Sequence, residues 1–254
     1  MEFTDLIFDL YGTLVDIHTE ENETVWEKTA LFFSYHGAPY TGASLRAAFR
    51  DHMSARQAEV TYSYECYPDI PVEEVFRDLF RERHLYQESE ALGIQAARLF
   101  RICATDYIRL YPGVLQTLRE LHHRGYRLWL LSNAQAVWTE NELRLLGLGW
   151  IFQKCYLSSD YGCRKPDIRF FRKLLDNQRL DPQKCLMIGN DLDTDIAGAK
   201  NAGLATLYLH TNITPGSQRM AKKGLAFGTP GVRHWEQEGS DLSALLDYFP
   251  TRRP

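Results

Sequence analysis

The 254-residue sequence has no long hydrophobic run, no excess of either charge and no cysteine pattern, and each absence closes off a class of function. No apolar stretch approaches the ~18 residues that span a bilayer, so no transmembrane segment is expected. Lys and Arg number 29 against 33 Asp and Glu, a formal net charge of −4, and the basic residues are scattered. A nucleic-acid surface usually announces itself as a basic stripe, so no nucleic-acid partner is expected. The five cysteines, Cys66, Cys103, Cys155, Cys163 and Cys185, are odd in number and lack the pair spacing of metal sites. They read as reduced thiols of a cytoplasmic protein, and Cys163, beside a polar loop, is a spectator by the same reading. A basic segment leading into an apolar run is missing at the start, so no secretory signal is expected. Internal repeats and low-complexity tracts are missing too.

What is present is an ordinary globular composition, 44% hydrophobic and 24% charged, at a length that suits one large domain or a domain with an insertion. The apolar run Leu6-Ile7-Phe8 reads as a short buried strand that arrives at Asp9, with Gly12 and Thr13 following within a few residues. Residues 17–110 then differ in character, being rich in helix formers and aromatics. Helices are predicted over 20–35, 42–64, 72–84 and 89–109, punctuated by Pro39 and by the segment between Pro68 and Pro71. This region is expected to be a helical insert packed as a bundle, with Trp26, Phe32, Phe33, Tyr62, Tyr64 and Tyr67 mostly in its core.

From Pro112 strands alternate with helices. Strands are predicted over 126–131, 154–157, 185–188 and 205–209, with a short one at 225–227; helices are predicted over 114–123, 137–146, 167–175, 193–201 and 242–248. Such alternation implies a parallel sheet covered on both faces, so the fold class is α/β, a doubly wound Rossmann-like core with an inserted α-helical domain. Asp9, Ser132 and Asp191 each follow an apolar strand, and in one parallel sheet those ends lie side by side, where open α/β sheets place their ligands. Lys165 comes from the loop after the strand at 154–157, and Asp191 and Asp195 are four residues apart at a strand-to-helix turn. Three carboxylates so close would repel unless a cation shared them, and their hard oxygens suit Mg²⁺. Taken singly, Asp193 is a helix cap, Ser132-Asn133 a turn and Lys165 a solvated side chain; the order and placement of the set carry the argument.

Asp9-Leu10-Tyr11-Gly12-Thr13-Leu14, Leu131-Ser132-Asn133, Arg164-Lys165-Pro166-Asp167 and Gly189-Asn190-Asp191 with Asp195 resemble the four motifs of the haloacid dehalogenase superfamily. The insert falls between the first two, where that family carries a helical cap domain. The resemblance implies a core of residues 1–16 and 111–254 and a cap of residues 17–110, hinged near Asp16 and Tyr111. It also implies catalysis by Asp9 as nucleophile, with Lys165 neutralising charge and Tyr11, Thr13, Ser132 and Asn133 around the substrate. Mg²⁺ would be held by Asp9, the main-chain carbonyl of Tyr11 and Asp191, with Asp195 a direct or indirect partner. The substrate would be a small molecule, a phosphomonoester, and the protein a monomer or homodimer.

Tyr11 departs from the phosphatases of that family, which carry an aspartate there as general acid and base; Asp16 or Glu20 would have to replace it. Tyrosine is what the 2-haloacid dehalogenases carry. Those enzymes use no metal, and they need a cap arginine as halide cradle, for which Arg46, Arg50 and Arg56 stand available. Yet Leu192 and Phe171 depart from their pattern, and Asp191 adds an acid. The weight falls on a Mg²⁺-dependent phosphatase, ahead of a metal-independent dehalogenase and of a weakly active, ligand-binding regulatory protein.

Overall fold

A computed structural model describes residues 3–60, 65–213 and 233–252. Its centre is a six-stranded parallel sheet in the order β5-β4-β1-β6-β7-β8, formed by β1 (Asp5–Phe8), β4 (Arg127–Ser132), β5 (Lys154–Leu157), β6 (Cys185–Gly189), β7 (Ala205–His210) and β8 (His234–Glu238). Because side chains alternate across a strand, the two faces feed separate cores. Leu6, Phe8, Leu128, Leu130, Leu186 and Ile188 point into one, which the helices α5 (Val114–His123) and α6 (Ala136–Leu145) cover. Ile7, Trp129, Leu131, Cys185 and Met187 point into the other, under α8 (Ile168–Gln178) and α9 (Ala197–Asn201). Both faces being covered explains why these strands read as unbroken apolar runs rather than alternating ones.

The helices α1 (Glu23–Tyr35), α2 (Gly42–Glu59), α3 (Val72–Glu82) and α4 (Ser89–Ala104) form the insert. Asn22 caps α1 by accepting from the Val25 amide, and Thr41 and Ser44 form a reciprocal capping box at the start of α2. In α3, Val72, Val75, Phe76, Leu79 and Phe80 repeat at helical spacing and are buried. Val72, Phe76, Leu79 and Phe80 meet Trp26, Phe33, Ala97 and Phe100 in a third apolar cluster, where Phe33 and Phe80 stack with ring centroids 3.9 Å apart. Gly93 lets α4 cross close to α3: a Cβ there would stand 2.5 Å from the carbonyl oxygen of Glu73.

Three strands were not in the sequence expectation, two of them a pair. β2 (Val15–Thr19) and β3 (Thr105–Leu110) pair antiparallel, Val15 with Leu110 and Asp16 with Arg109, so a two-stranded ribbon carries the chain into the insert and back. The helix predicted over 89–109 therefore stops at Ala104, because the half-exposed ribbon alternates in a short run that helix formers upstream obscured. β8 was missed because it is a polar edge strand, His-Trp-Glu-Gln-Glu, with little apolar signal. The predicted strand at 225–227 and the end of the predicted helix at 61–64, with Tyr62 and Tyr64, lie outside the described residues. Among the described residues no helix is long and apolar enough to cross a membrane. All five cysteines are free thiols; burial pushes the Cys163 thiol upward, away from thiolate reactivity.

Candidate active site

Asp9 follows β1 directly, and its amide donates to the Ile188 carbonyl of β6 at 3.0 Å, so the first and fourth motif loops leave the sheet side by side. The turn after Asp9 closes on the Leu10 carbonyl, which accepts from the amides of Thr13 (3.3 Å), Leu14 (2.8 Å) and Val15 (3.0 Å). Gly12 permits that turn: its φ is +85°, and a Cβ would stand 2.3 Å from Nδ2 of Asn190.

Three side chains orient the Asp9 carboxylate. Lys165 Nζ donates to Oδ1 at 2.7 Å and Ser132 Oγ to the same oxygen at 3.3 Å, while Thr13 Oγ1 lies 3.1 Å from Oδ2. Lys165 is 1% exposed and also donates to Asp195 Oδ1 at 2.6 Å and to the Leu131 carbonyl at 2.8 Å. Its ammonium thus has all three protons placed. Burial pulls the ammonium down, but Asp195 and Asp9 outweigh it and hold it above the usual lysine range. Burial lifts Asp195 well above the usual carboxylate range, with Asp9 and Asp191 adding to it and Lys165 opposing.

The structure reassigns several residues of the expected site. Asn133 holds the Lys165 backbone with both ends of its amide, accepting from the Lys165 N–H at 2.7 Å and donating to the Lys165 carbonyl at 3.0 Å. Asp195 has one oxygen on Lys165 and the other on the Asp191 amide at 3.1 Å. It positions the lysine and the fourth loop. Asp191 caps the next turn, accepting from the amides of Asp193 (2.8 Å) and Thr194 (3.1 Å). The side chain of that loop that packs on the first loop is Asn190, whose Oδ1 lies 3.2 Å from Thr13 Oγ1. Tyr11 donates its phenol proton to Glu142 and lies 3.0 Å from Thr139 Oγ1, both on α6. Burial and the Glu142 carboxylate push that phenol far above its ordinary range.

Lys165 itself sits between Asp9 and Asp195, so its single positive charge offsets one of the three negative charges within the protein. Among the described residues no three His, Cys, Asp or Glu side chains form a metal-holding group. The oxygen donors still fit a hard cation on a smaller set. One Thr13 hydroxyl proton faces two acceptors, Asp9 Oδ2 and Asn190 Oδ1, and serves one at a time. With Asp191 two residues beyond the adjacent strand, the set is entirely oxygen, and Mg²⁺ commonly takes one or two carboxylates with water completing its shell.

Of the two expected replacements for the acid–base aspartate, Asp16 is held as a carboxylate. Burial raises Asp16, but hydrogen bonds from Arg109 (2.7 Å) and Asn212 (3.1 Å) outweigh it and hold the carboxyl below its usual range. Glu20 is exposed at the mouth of the insert. Of the three arginines considered for a halide cradle, Arg56 pairs with Glu74 and Asp78. Arg46 and Arg50 line a cavity of about 530 Å³ beside α1 and α2, which Glu23, Glu27 and Trp26 share. The arginine that reaches Tyr11 is Arg101 of α4, 5.3 Å from its ring centroid. Nothing in the sequence marked Arg101, Glu142 or Thr139, which lie on helices without a motif; Asn190 was signalled only by its place beside Asp191. The insert also meets the core along residues 67–72: Gln135 and Ser158 donate to Asp69, and the Arg164 amide donates to the Tyr67 carbonyl.

Comparison with known proteins agrees with this geometry. The chain is 32% identical over 119 residues to a glyceraldehyde 3-phosphate phosphatase of Methanothermobacter thermautotrophicus, a match covering 46% of this chain and 53% of that protein. It is 30% identical over 142 residues to a phosphoserine phosphatase of Thermus thermophilus, covering 54% and 57%. These matches therefore span about half the length of each relative. The crystal structure of a 2-haloacid dehalogenase from Pseudomonas syringae pv. tomato superposes with a TM-score of 0.63 over 96% of this chain and 97% of that one, at 20% identity, and so shares the fold. The family model of haloacid dehalogenase-like hydrolases matches residues 6–203, from β1 to the end of the fourth loop's helix, and the chain belongs to that family.

Proposed function

We propose that the protein is a phosphatase of small phosphorylated metabolites, with Asp9 as nucleophile and Mg²⁺ as cofactor. In this reading residues 17–110 are a cap over a core of residues 1–16 and 111–254. The observation that carries it is the Asp9 carboxylate, buried at the end of β1 and oriented by Lys165, Ser132 and Thr13. The phosphatases among the relatives support the phosphoryl group as the one transferred.

Asp9 attacks phosphorus in line with the ester oxygen; the P–O ester bond breaks and its electron pair leaves with the alcohol oxygen. Water then attacks the aspartyl phosphate, the bond from phosphorus to the Asp9 oxygen breaks, and the carboxylate and inorganic phosphate are released. The Lys165 ammonium pairs with the Asp9 carboxylate and faces the charge that gathers on the transferring group, while Ser132 offers its hydroxyl to the same place. Asp195 holds the ammonium there. When bound by Asp9, the Tyr11 carbonyl and Asp191, Mg²⁺ supplies further positive charge to the phosphoryl oxygens. A helical cap beside the cleft excludes bulk water and admits small substrates. Free thiols, two of the five buried, suit action in a reducing compartment, the cytoplasm.

A second reading, the 2-haloacid dehalogenase, draws on Tyr11. Phosphate release from a panel of phosphomonoesters, with Mg²⁺ or chelator and with Asp9→Asn as control, decides between them. Release that requires both Mg²⁺ and Asp9 is the expected result. Halide release from 2-haloacids with no phosphate release would replace it with the second reading, and silence in both assays would leave a ligand-binding role.

A further inference from the structure

Glu142 of α6 is the meeting point of the insert, the core and the nucleophile loop. Arg101 of α4 donates to it through Nε at 2.7 Å and Nη2 at 3.2 Å, a two-pronged pair across the junction. Tyr11, two residues beyond Asp9, donates its phenol to the second of those carboxylate oxygens and lies 3.0 Å from Thr139. The Arg101 guanidinium stands 5.3 Å from the ring centroids of both Tyr11 and Trp138. Arg101 and Glu142 are 16% and 12% exposed, so the pair is nearly removed from water. A buried ion pair brings little assured net stability, because desolvation offsets its attraction. What it does bring is one defined arrangement, since separating the partners strands a buried charge. The amides of Thr13, Leu14 and Val15 close on the carbonyl of Leu10, the residue that joins Asp9 to Tyr11, so a displacement of the Tyr11 ring is transmitted to the Asp9 backbone.

We infer that Arg101 and Glu142 are positioning residues that clamp Tyr11, so that docking of the helical insert and alignment of the Asp9 loop are a single event. Tyr11 then occupies the place of an acid–base residue because it serves as the clamped handle of the nucleophile loop. Movement of the insert away from the core withdraws the Arg101 guanidinium, leaves Glu142 without its cation and loosens the loop. The inference rests on Asp9 as the nucleophile and is independent of which group Asp9 accepts.

The test uses the full chain and the variants Arg101→Gln, Glu142→Gln, their combination, Arg101→Lys and Tyr11→Phe. Amide hydrogen exchange over residues 10–15 and 136–142 reads the clamp without any substrate. Arg101→Gln and Glu142→Gln are each expected to speed exchange in both segments by about tenfold, a local opening. They are expected to lower kcat by ~10- to 10²-fold with KM little changed, the signature of a misplaced reacting group. The double variant should be no worse than the poorer single one, and Arg101→Lys should restore part of kcat. Tyr11→Phe, which leaves the ion pair whole, should loosen residues 10–15 alone and guards against misfolding of the charge variants. Unchanged exchange at residues 10–15 in every variant, additive losses, or an effect carried wholly by KM would overturn the inference. Absence of turnover on any phosphate or haloacid would overturn the proposed function while the exchange result still decided the clamp.

Discussion

Replacing Lys165 by methionine removes one charge and keeps the length of the side chain. The ammonium now sits 2.7 Å from Asp9 and 2.6 Å from Asp195, in a site where Lys165 is 1% exposed. Taking away one partner of a buried ion pair typically costs about 3–5 kcal/mol, because the other charge is left unpaired in a poorly solvated place. For a chain of this size each kcal/mol moves the thermal midpoint by roughly 2–4 °C, so Lys165→Met should melt roughly 6–20 °C lower than the wild type near neutral pH. The deficit should depend on pH in one direction. Burial and Asp9 already raise Asp195, and without the ammonium nothing opposes them. A carboxyl whose folded pKa lies above its unfolded value stabilises fully below the unfolded pKa and loses that contribution as pH rises through the folded one. The deficit should therefore be largest at about pH 8 and shrink toward about pH 5, as the stranded acids take up protons. Calorimetric or circular-dichroism melts across that range measure it. A midpoint within about 2 °C of the wild type, or a deficit that grows on acidification, would refute the picture of one lysine shared by two buried acids.

Two further predictions follow from the neighbouring groups. With Tyr11 held by Glu142 and Asp16 held as a carboxylate, neither of these two side chains is set to protonate a departing alkoxide. General acids are worth ~10²–10⁴-fold, so aryl or acyl phosphates should be hydrolysed at least about 10²-fold faster than alkyl phosphates of similar size. A flat dependence of kcat/KM on leaving-group pKa would show that a proton donor is present after all. Asp16→Asn should destabilise the ribbon at neutral pH, where Arg109 and Asn212 hold the wild-type carboxylate. Because that carboxyl is held below its usual value, its contribution is present above the unfolded pKa of about 4 and fades as pH falls through the folded one. The melting curves of variant and wild type should converge in acid; a gap that persists there would mean that something other than ionisation holds the ribbon.

The sequence by itself determined the α/β class, the alternation of strands and helices, the helical character of the insert and the loops that meet at the sheet's carboxyl ends. These are local matters: an apolar run long enough for a strand covered on both faces, an amphipathic stripe such as that of α3, a polar residue set directly after a strand. Asp9, Ser132 and Lys165 were legible because each belongs to a short motif whose position in a parallel sheet follows from topology. The ribbon was not legible, since half-exposed strands of five or six residues carry little periodic signal beside a long helix-forming stretch. Nor was the division of labour within the site. Whether Asp195 faces a cation or a lysine, and whether Asn190 or Asp191 turns toward Thr13, depends on side-chain directions in one tight turn. Whether Tyr11 meets substrate or α6 depends on Glu142, 131 residues away. Such pairings are set only by packing, where a buried charge or hydroxyl must find whichever partner the folded chain brings within reach.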